Sequence, residues 1–154
     1  KYNSDLANDL GNLVSRVCTL ISNNFDDEMP KFQSKESDLS KSFSSIDIKE
    51  HLDTFKMDKL LHEIMTFIRS VNGYMEQHQP WKMIKEDKES AGNILYHAAE
   101  SLRVSAIMLS PVMPEKSKEI LVALGAKDST LEWGMLNPGN KISKGDPIFP
   151  RIVQ

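Results

Sequence analysis

Apolar residues return every three to four positions along three long stretches of the chain, and prolines close two of them. In Ser4–Phe25, Leu6, Leu10, Leu13, Val17, Leu20 and Ile21 fall on one stripe, the spacing of an amphipathic helix. Asn3 or Ser4 suits its cap, and Asp5 and Asp9 stand near the positive end of its dipole. Gly11 is a mild penalty that marks close packing. A second helix is predicted over Asp53–His78, with a wide apolar face that includes Phe55, Leu60, Ile64, Met65, Phe67, Ile68, Val71, Tyr74 and Met75. Pro80 ends it, because its ring cannot follow an unbroken helix and it biases Gln79 away from helical angles. The third runs over Ser90–Leu109, carrying Ile94, Leu95, Ala98, Leu102, Ser105, Ala106 and Leu109, until Pro111 and Pro114 interrupt it. A shorter helix over Met113–Leu124 closes on Gly125 as C-cap.

The intervening stretches lack this periodicity. Asp26–Ser45 is polar and serine-rich, with Pro30 near its start, and reads as loop with short helical turns. Ile46–Leu52 reads as another such turn, and Lys82–Ser90 as a charged connector with room for one turn. From Ser129 the pattern turns irregular or extended. The expectation is an all-α helical bundle over residues 1–128 with an irregular C-terminal tail over residues 129–154.

Composition narrows the class. A length of 154 residues suits one domain with a substantial core, and the 40% hydrophobic and 27% charged fractions are those of a soluble globular chain. No apolar run approaches the roughly 18 residues needed to span a bilayer, and KYNSDLANDL has no signal-peptide core. One cysteine, Cys18, excludes an intramolecular disulfide and fits a reducing, cytoplasmic setting. The net charge of −3 does not advertise a nucleic-acid binder, although it leaves room for local reading of a few bases.

Catalytic motifs are missing. His51, His62, His78 and His97 have no metal-ligand spacing and read as surface or half-buried histidines, so no metal site is expected. There is no glycine-rich phosphate loop and no G-x-S-x-G elbow. Cys18, near the edge of the first apolar stripe, reads as a small core residue. Carboxylates pair only in runs such as Asp26-Asp27-Glu28, which read as solvated loop charge. No catalytic residue is expected within the segment.

Recognition has better candidates. Asn12 and Arg16 lie four residues apart, roughly opposite the leucine stripe. They form either a solvated polar face or a pair of hydrogen-bonding forks suited to base edges. Trp81 follows Pro80 at the helix break. It is either a corner plug against Met75 and Ile84 or a stacking platform for unstacked bases.

Four strings taken together carry a family resemblance: YNSDLANDLGNLVSR (2–16), NGYMEQHQPW (72–81), LRVSAIMLSPVMPEKSKEI (102–120) and WGMLNPGNKISKGDPIFPRI (133–152). In order and over nearly the whole chain, they resemble the C-terminal anticodon-binding domain of methionyl-tRNA synthetases, class I aminoacyl-tRNA synthetases. The resemblance implies a helical bundle that reads the CAU anticodon of methionine tRNA. It implies anticodon contacts at Asn12, Arg16, Pro80 and Trp81, with Trp81 stacking, Asn12 and Arg16 making base-edge contacts and Pro80 presenting the ring rigidly. Asn72 and Tyr74 match the pattern as structural residues. Lys82, Lys85 and Lys88 beside Trp81 are candidate phosphate contacts.

The resemblance further implies a cytoplasmic enzyme and an excised segment, partnered by the tRNA anticodon loop and the enzyme's own N-terminal catalytic domain, with no membrane. ATP and methionine would bind that catalytic domain, leaving this segment without a cofactor. Lys141-Ile142-Ser143-Lys144-Gly145 looks like the K-M-S-K-S signature, but it lies in the tail and is read without an ATP role. The alternatives are a helical protein-interaction or scaffold bundle with no RNA role, in which Trp81 would be buried far from Arg16, and a synthetase paralogue kept for another task.

Overall fold

The computed structural model describes residues 2–34, 36–46, 57–126 and 130–142. Six helices are found among them: α1 (Tyr2–Asn24), α2 (Asp38–Ser44), α3 (Met57–His78), α4 (Pro80–Met83), α5 (Lys88–Leu109) and α6 (Pro114–Ala123). No named strand occurs among the described residues, so the helical class holds. The expected Asp53 start of the second helix and most of the Ile46–Leu52 turn lie outside them.

Helix α5 is the axis of the bundle, with α1, α2, α3, α4 and α6 all packed against it. The sequence explains why. Ala91, Gly92, Ala98, Ala99, Ser101, Ser105 and Ala106 let neighbours approach, while Leu95, Tyr96 and Leu102 fill the space between them; all are buried. A helix buried on every side loses the one-sided stripe of a surface helix. In contrast, α1 and α3 keep theirs: Leu10, Leu13, Val17, Ile21, Ile64, Ile68, Val71 and Met75 are each fully buried.

Local chemistry sets the element ends. Helix α5 starts at Lys88, two residues before the expected Ser90, because Asp87 caps it: the Ser90 amide and hydroxyl both donate to its carboxylate, at 3.1 and 2.6 Å. The same bonds hold the Asp87 carboxyl below its ordinary pKa. Helix α2 condenses inside the serine-rich loop because Ser37 and Ser40 form a reciprocal capping box, with Leu39 and Phe43 buried one turn apart. Gly125 closes α6 at φ +69°. The Ala126 amide reaches back to the Leu121 carbonyl at 2.9 Å, a Schellman closure. A Cβ at Gly125 would strike the Lys141 carbonyl.

The described part of the tail, residues 130–142, folds back onto the bundle. Glu100 and Arg103 on α5 are 0% exposed and pair at 2.7 Å. Glu100 also accepts from the Gly134 and Met135 amides at 2.5 and 2.9 Å. Arg103 donates to the Thr130 and Glu132 carbonyls at 2.6 and 2.5 Å. The Tyr96 hydroxyl donates to the Leu136 carbonyl at 2.7 Å. Further on, Met29 exchanges backbone bonds with Gly139 and Asn140, and an antiparallel bridge joins Glu28 to Lys141.

His97 corrects an expectation. It is fully buried rather than at the surface or half-buried. Its ring satisfies both nitrogens across three segments: Trp133 Nε1 donates to Nδ1 at 3.3 Å, and Nε2 donates to the Ser34 carbonyl at 2.7 Å. This arrangement needs the neutral ring, and burial pushes the His97 pKa below 6.5.

Candidate nucleic-acid interface

Helix α1 turns Asn12 outward to solvent and leaves Arg16 half-buried, on the side away from its buried stripe. Helix α3 runs past this face and ends at His78, with only Gln79 between it and Pro80. At that corner Gln79 adopts a left-handed conformation, φ 47° and ψ 61°, and its amide still bonds to the Met75 carbonyl at 2.8 Å. This is a left-handed helix closure with glutamine where glycine is usual. Its Cβ disfavours such angles, so tertiary packing holds it there. The Gln79 carbonyl then accepts from Lys82 and Met83 at 2.9 and 3.1 Å, starting α4 without a linker. Buried Pro80 occupies the first position of α4, where no amide hydrogen is required.

The reversal delivers Trp81 to the α1 face. The Arg16 guanidinium carbon stands 5.2 Å from the centroid of the Trp81 ring, over it, within cation–π range. Arg16 also donates to Glu76 Oε1 at 3.1 Å. The indole is half-buried and packs against the core. The ring thus packs at the corner, as a plug would, and also meets Arg16. An open recess of about 360 Å³ lies alongside, lined by Asp9, Asn12, Ser15, Arg16 and Asn72. Asn72, expected as a structural residue, thus shares the recess with Asn12 and Arg16. Asp9 and Ser15, which the sequence did not single out as candidates, line it too, and Asp9, Asn12 and Arg16 sit at helical i, i+3, i+7 spacing.

The three lysines divide. Lys82, Lys85 and Lys88 are all exposed, the first two on and just after α4. Lys88 Nζ instead stands 5.2 Å from the Phe25 centroid. Phe25 is nine residues beyond Arg16, roughly 14 Å along the axis and about half a turn round it. Lys88 therefore lines a different cleft, with Phe25, Pro30, Phe32 and Gly92.

Cys18 is buried and desolvation raises its pKa to about 11, which keeps the thiol protonated and unreactive. Among the described residues no group of His, Cys, Asp and Glu is placed to hold a metal ion, and no helix is long and apolar enough to cross a membrane. Lys141, from the K-I-S-K-G string, pairs with Glu28 at 3.2 Å.

Comparison with known proteins decides the family. The model of the anticodon binding domain of methionyl tRNA ligase matches residues 29–154. The chain belongs to this family. Its relatives include the methionine–tRNA ligase of Caldanaerobacter subterraneus subsp. tengcongensis, 35% identical over 99% of this chain and 26% of that protein. That of Streptomyces coelicolor is 36% identical over all of this chain and 32% of the relative. Among solved structures, the free Mycobacterium tuberculosis methionyl-tRNA synthetase superposes with a TM-score of 0.89 at 28% identity, over 99% of this chain and 34% of that one. The same enzyme with methionyl-adenylate gives 0.88 at 29% identity. The chain thus spans about a quarter to a third of the relatives it matches. In this anticodon-binding domain, the Asn12, Arg16 and Trp81 positions converge on one side of the bundle.

Proposed function

We propose that the chain recognises the CAU anticodon of methionine tRNA, as the specificity module of a methionine–tRNA ligase. The observation that carries this reading is the meeting of Arg16, on α1, with Trp81, on α4, at 5.2 Å beside the recess lined by Asn12. The two groups are some 65 residues apart in sequence, and their convergence gives a single splayed RNA loop both a ring and hydrogen-bonding forks. Trp81 stacks an anticodon base, Asn12 and Arg16 bond to base edges, and Pro80 holds the backbone that presents the ring. Lys82 and Lys85 take the flanking phosphates; Lys88, over Phe25, is placed for a more distant one.

In the whole ligase, a catalytic domain of the same polypeptide activates methionine with ATP in the cytoplasm and transfers it to the tRNA. A wrong anticodon leaves bases unpaired and unstacked here. Titrating a CAU-loop RNA hairpin into the chain tests the reading. Quenching of Trp81 fluorescence that Trp81→Ala abolishes is expected. Equal binding of CAU and scrambled loops at moderate salt would sink it and favour a bundle with no RNA role.

A further inference from the structure

The recess beside Trp81 holds one carboxylate, and the anticodon reading leaves it without a task. Asp9 lines it together with Asn12, Ser15, Arg16 and Asn72. Asp9, Asn12 and Arg16 share one face of α1, within about 60° of one another. Asp9 is held from α3: Arg69 Nε stands 3.5 Å from Asp9 Oδ2, with the two side chains 57% and 33% exposed. That contact is long, and a carboxylate offers about four lone-pair directions. Asp9 therefore retains acceptor capacity toward the recess.

The chemistry of the lining is uneven. Arg16 only donates, Asn12, Ser15 and Asn72 both donate and accept, and ionised Asp9 only accepts. We infer that Asp9 is a specificity residue that selects, at one anticodon position, a base with an exocyclic amine at C4 of a pyrimidine or C6 of a purine, that is, cytosine or adenine. Cytosine and adenine present an amine donor beside a ring-nitrogen acceptor on their pairing edges. The amine donates to the Asp9 carboxylate, while the ring nitrogen accepts from Asn12 or Arg16. Uracil and guanine present a carbonyl oxygen where the amine would be. That oxygen faces a carboxylate that cannot donate, and two acceptors are left opposed and desolvated. Rejection of the oxo base, more than attraction of the amino base, makes the choice.

This inference rests on the anticodon reading. The test measures dissociation constants of the full chain for hairpins with a CAU loop and for variants in which C is replaced by U or A by G, one at a time. The unmodified chain should prefer the amino base at one of these positions by about 5- to 150-fold, the worth of a good two-bond base contact. Asp9→Asn replaces the carboxylate by an isosteric amide that can donate to an oxo group. It should bring that ratio to within about two-fold, chiefly by tightening the oxo hairpin. Arg69→Gln removes the ion pair but keeps Asp9, and should leave the ratio intact, with thermal melts reporting the fold of each variant. An unchanged ratio in Asp9→Asn overturns the assignment to Asp9 alone. A collapse of the ratio in Arg69→Gln overturns it too, by tracing the effect to the ion pair. Failure of the unmodified chain to bind any hairpin overturns the anticodon reading and this inference together.

Discussion

Two arginine–glutamate pairs carry opposite duties in this molecule. Arg103 and Glu100 are wholly buried, three residues apart on α5, and between them they engage two tail carbonyls and two tail amides. Arg16 and Glu76 join two helices at a comparable distance, 3.1 Å, but their side chains are 38% and 62% exposed. The first pair cannot exchange its partners for water, so it fixes where the tail lies. The second can release Arg16 at little cost, because water can replace Glu76 at so exposed a pair. The chemical groups are the same; burial decides whether they build the fold or serve the surface.

The largest expected effect tests the buried side. Arg103→Met leaves Glu100 buried without its cation and should lower the unfolding free energy by about 3–5 kcal/mol in urea titrations. A loss under about 1 kcal/mol would show that the pair is not what anchors the tail. Next comes the surface side. Trp81→Ala should weaken binding of the CAU hairpin by about 1–3 kcal/mol, with a smaller loss of stability because the indole is only half-buried. Hairpin binding that survives the substitution would remove Trp81 from the interface.

A third prediction concerns pH. His97 is depressed below 6.5 by burial, so the unfolded chain binds a proton more readily than the folded one. Its contribution to stability should be complete above about 6.5 and decline as pH falls through the folded value. Protonating Nδ1 also abolishes the acceptor that Trp133 uses. Melting temperatures should fall from pH 7 toward pH 5, and His97→Gln should flatten that dependence; a parallel slope in the variant would rule His97 out. The smallest effect completes the contrast. Glu76→Gln should change stability by less than about 1 kcal/mol, as read by the same urea titrations, and a larger loss would mean that the exposed pair is structural after all.

The long helices were legible because their cores are periodic: the Leu10–Ile21 and Ile64–Met75 stripes are buried as the spacing required. The α2 capping box was less legible, since Ser37 and Ser40 stand in a stretch whose serines look interchangeable. The Glu100–Arg103 pair could not be told from a solvated i, i+3 pair, because its burial comes from a tail some thirty residues downstream. His97 was misplaced for the same reason: its partners are Ser34 and Trp133. Around the recess, Asn12, Arg16 and Trp81 were legible as candidates through polarity, a helix break and family resemblance, whereas Asp9 read only as a dipole-favouring charge.

What the sequence by itself determined is the four longer helices, their buried stripes and the family, since all are written in local periodicity and in strings of neighbouring residues. Only the tertiary structure decided which polar groups meet. Arg16 reaches Trp81 because a left-handed Gln79 turns the chain back within one residue, a conformation its own side chain disfavours and the packed corner imposes. Whether a charge is buried or open likewise depends on what distant chain covers it, and periodicity carries no record of that.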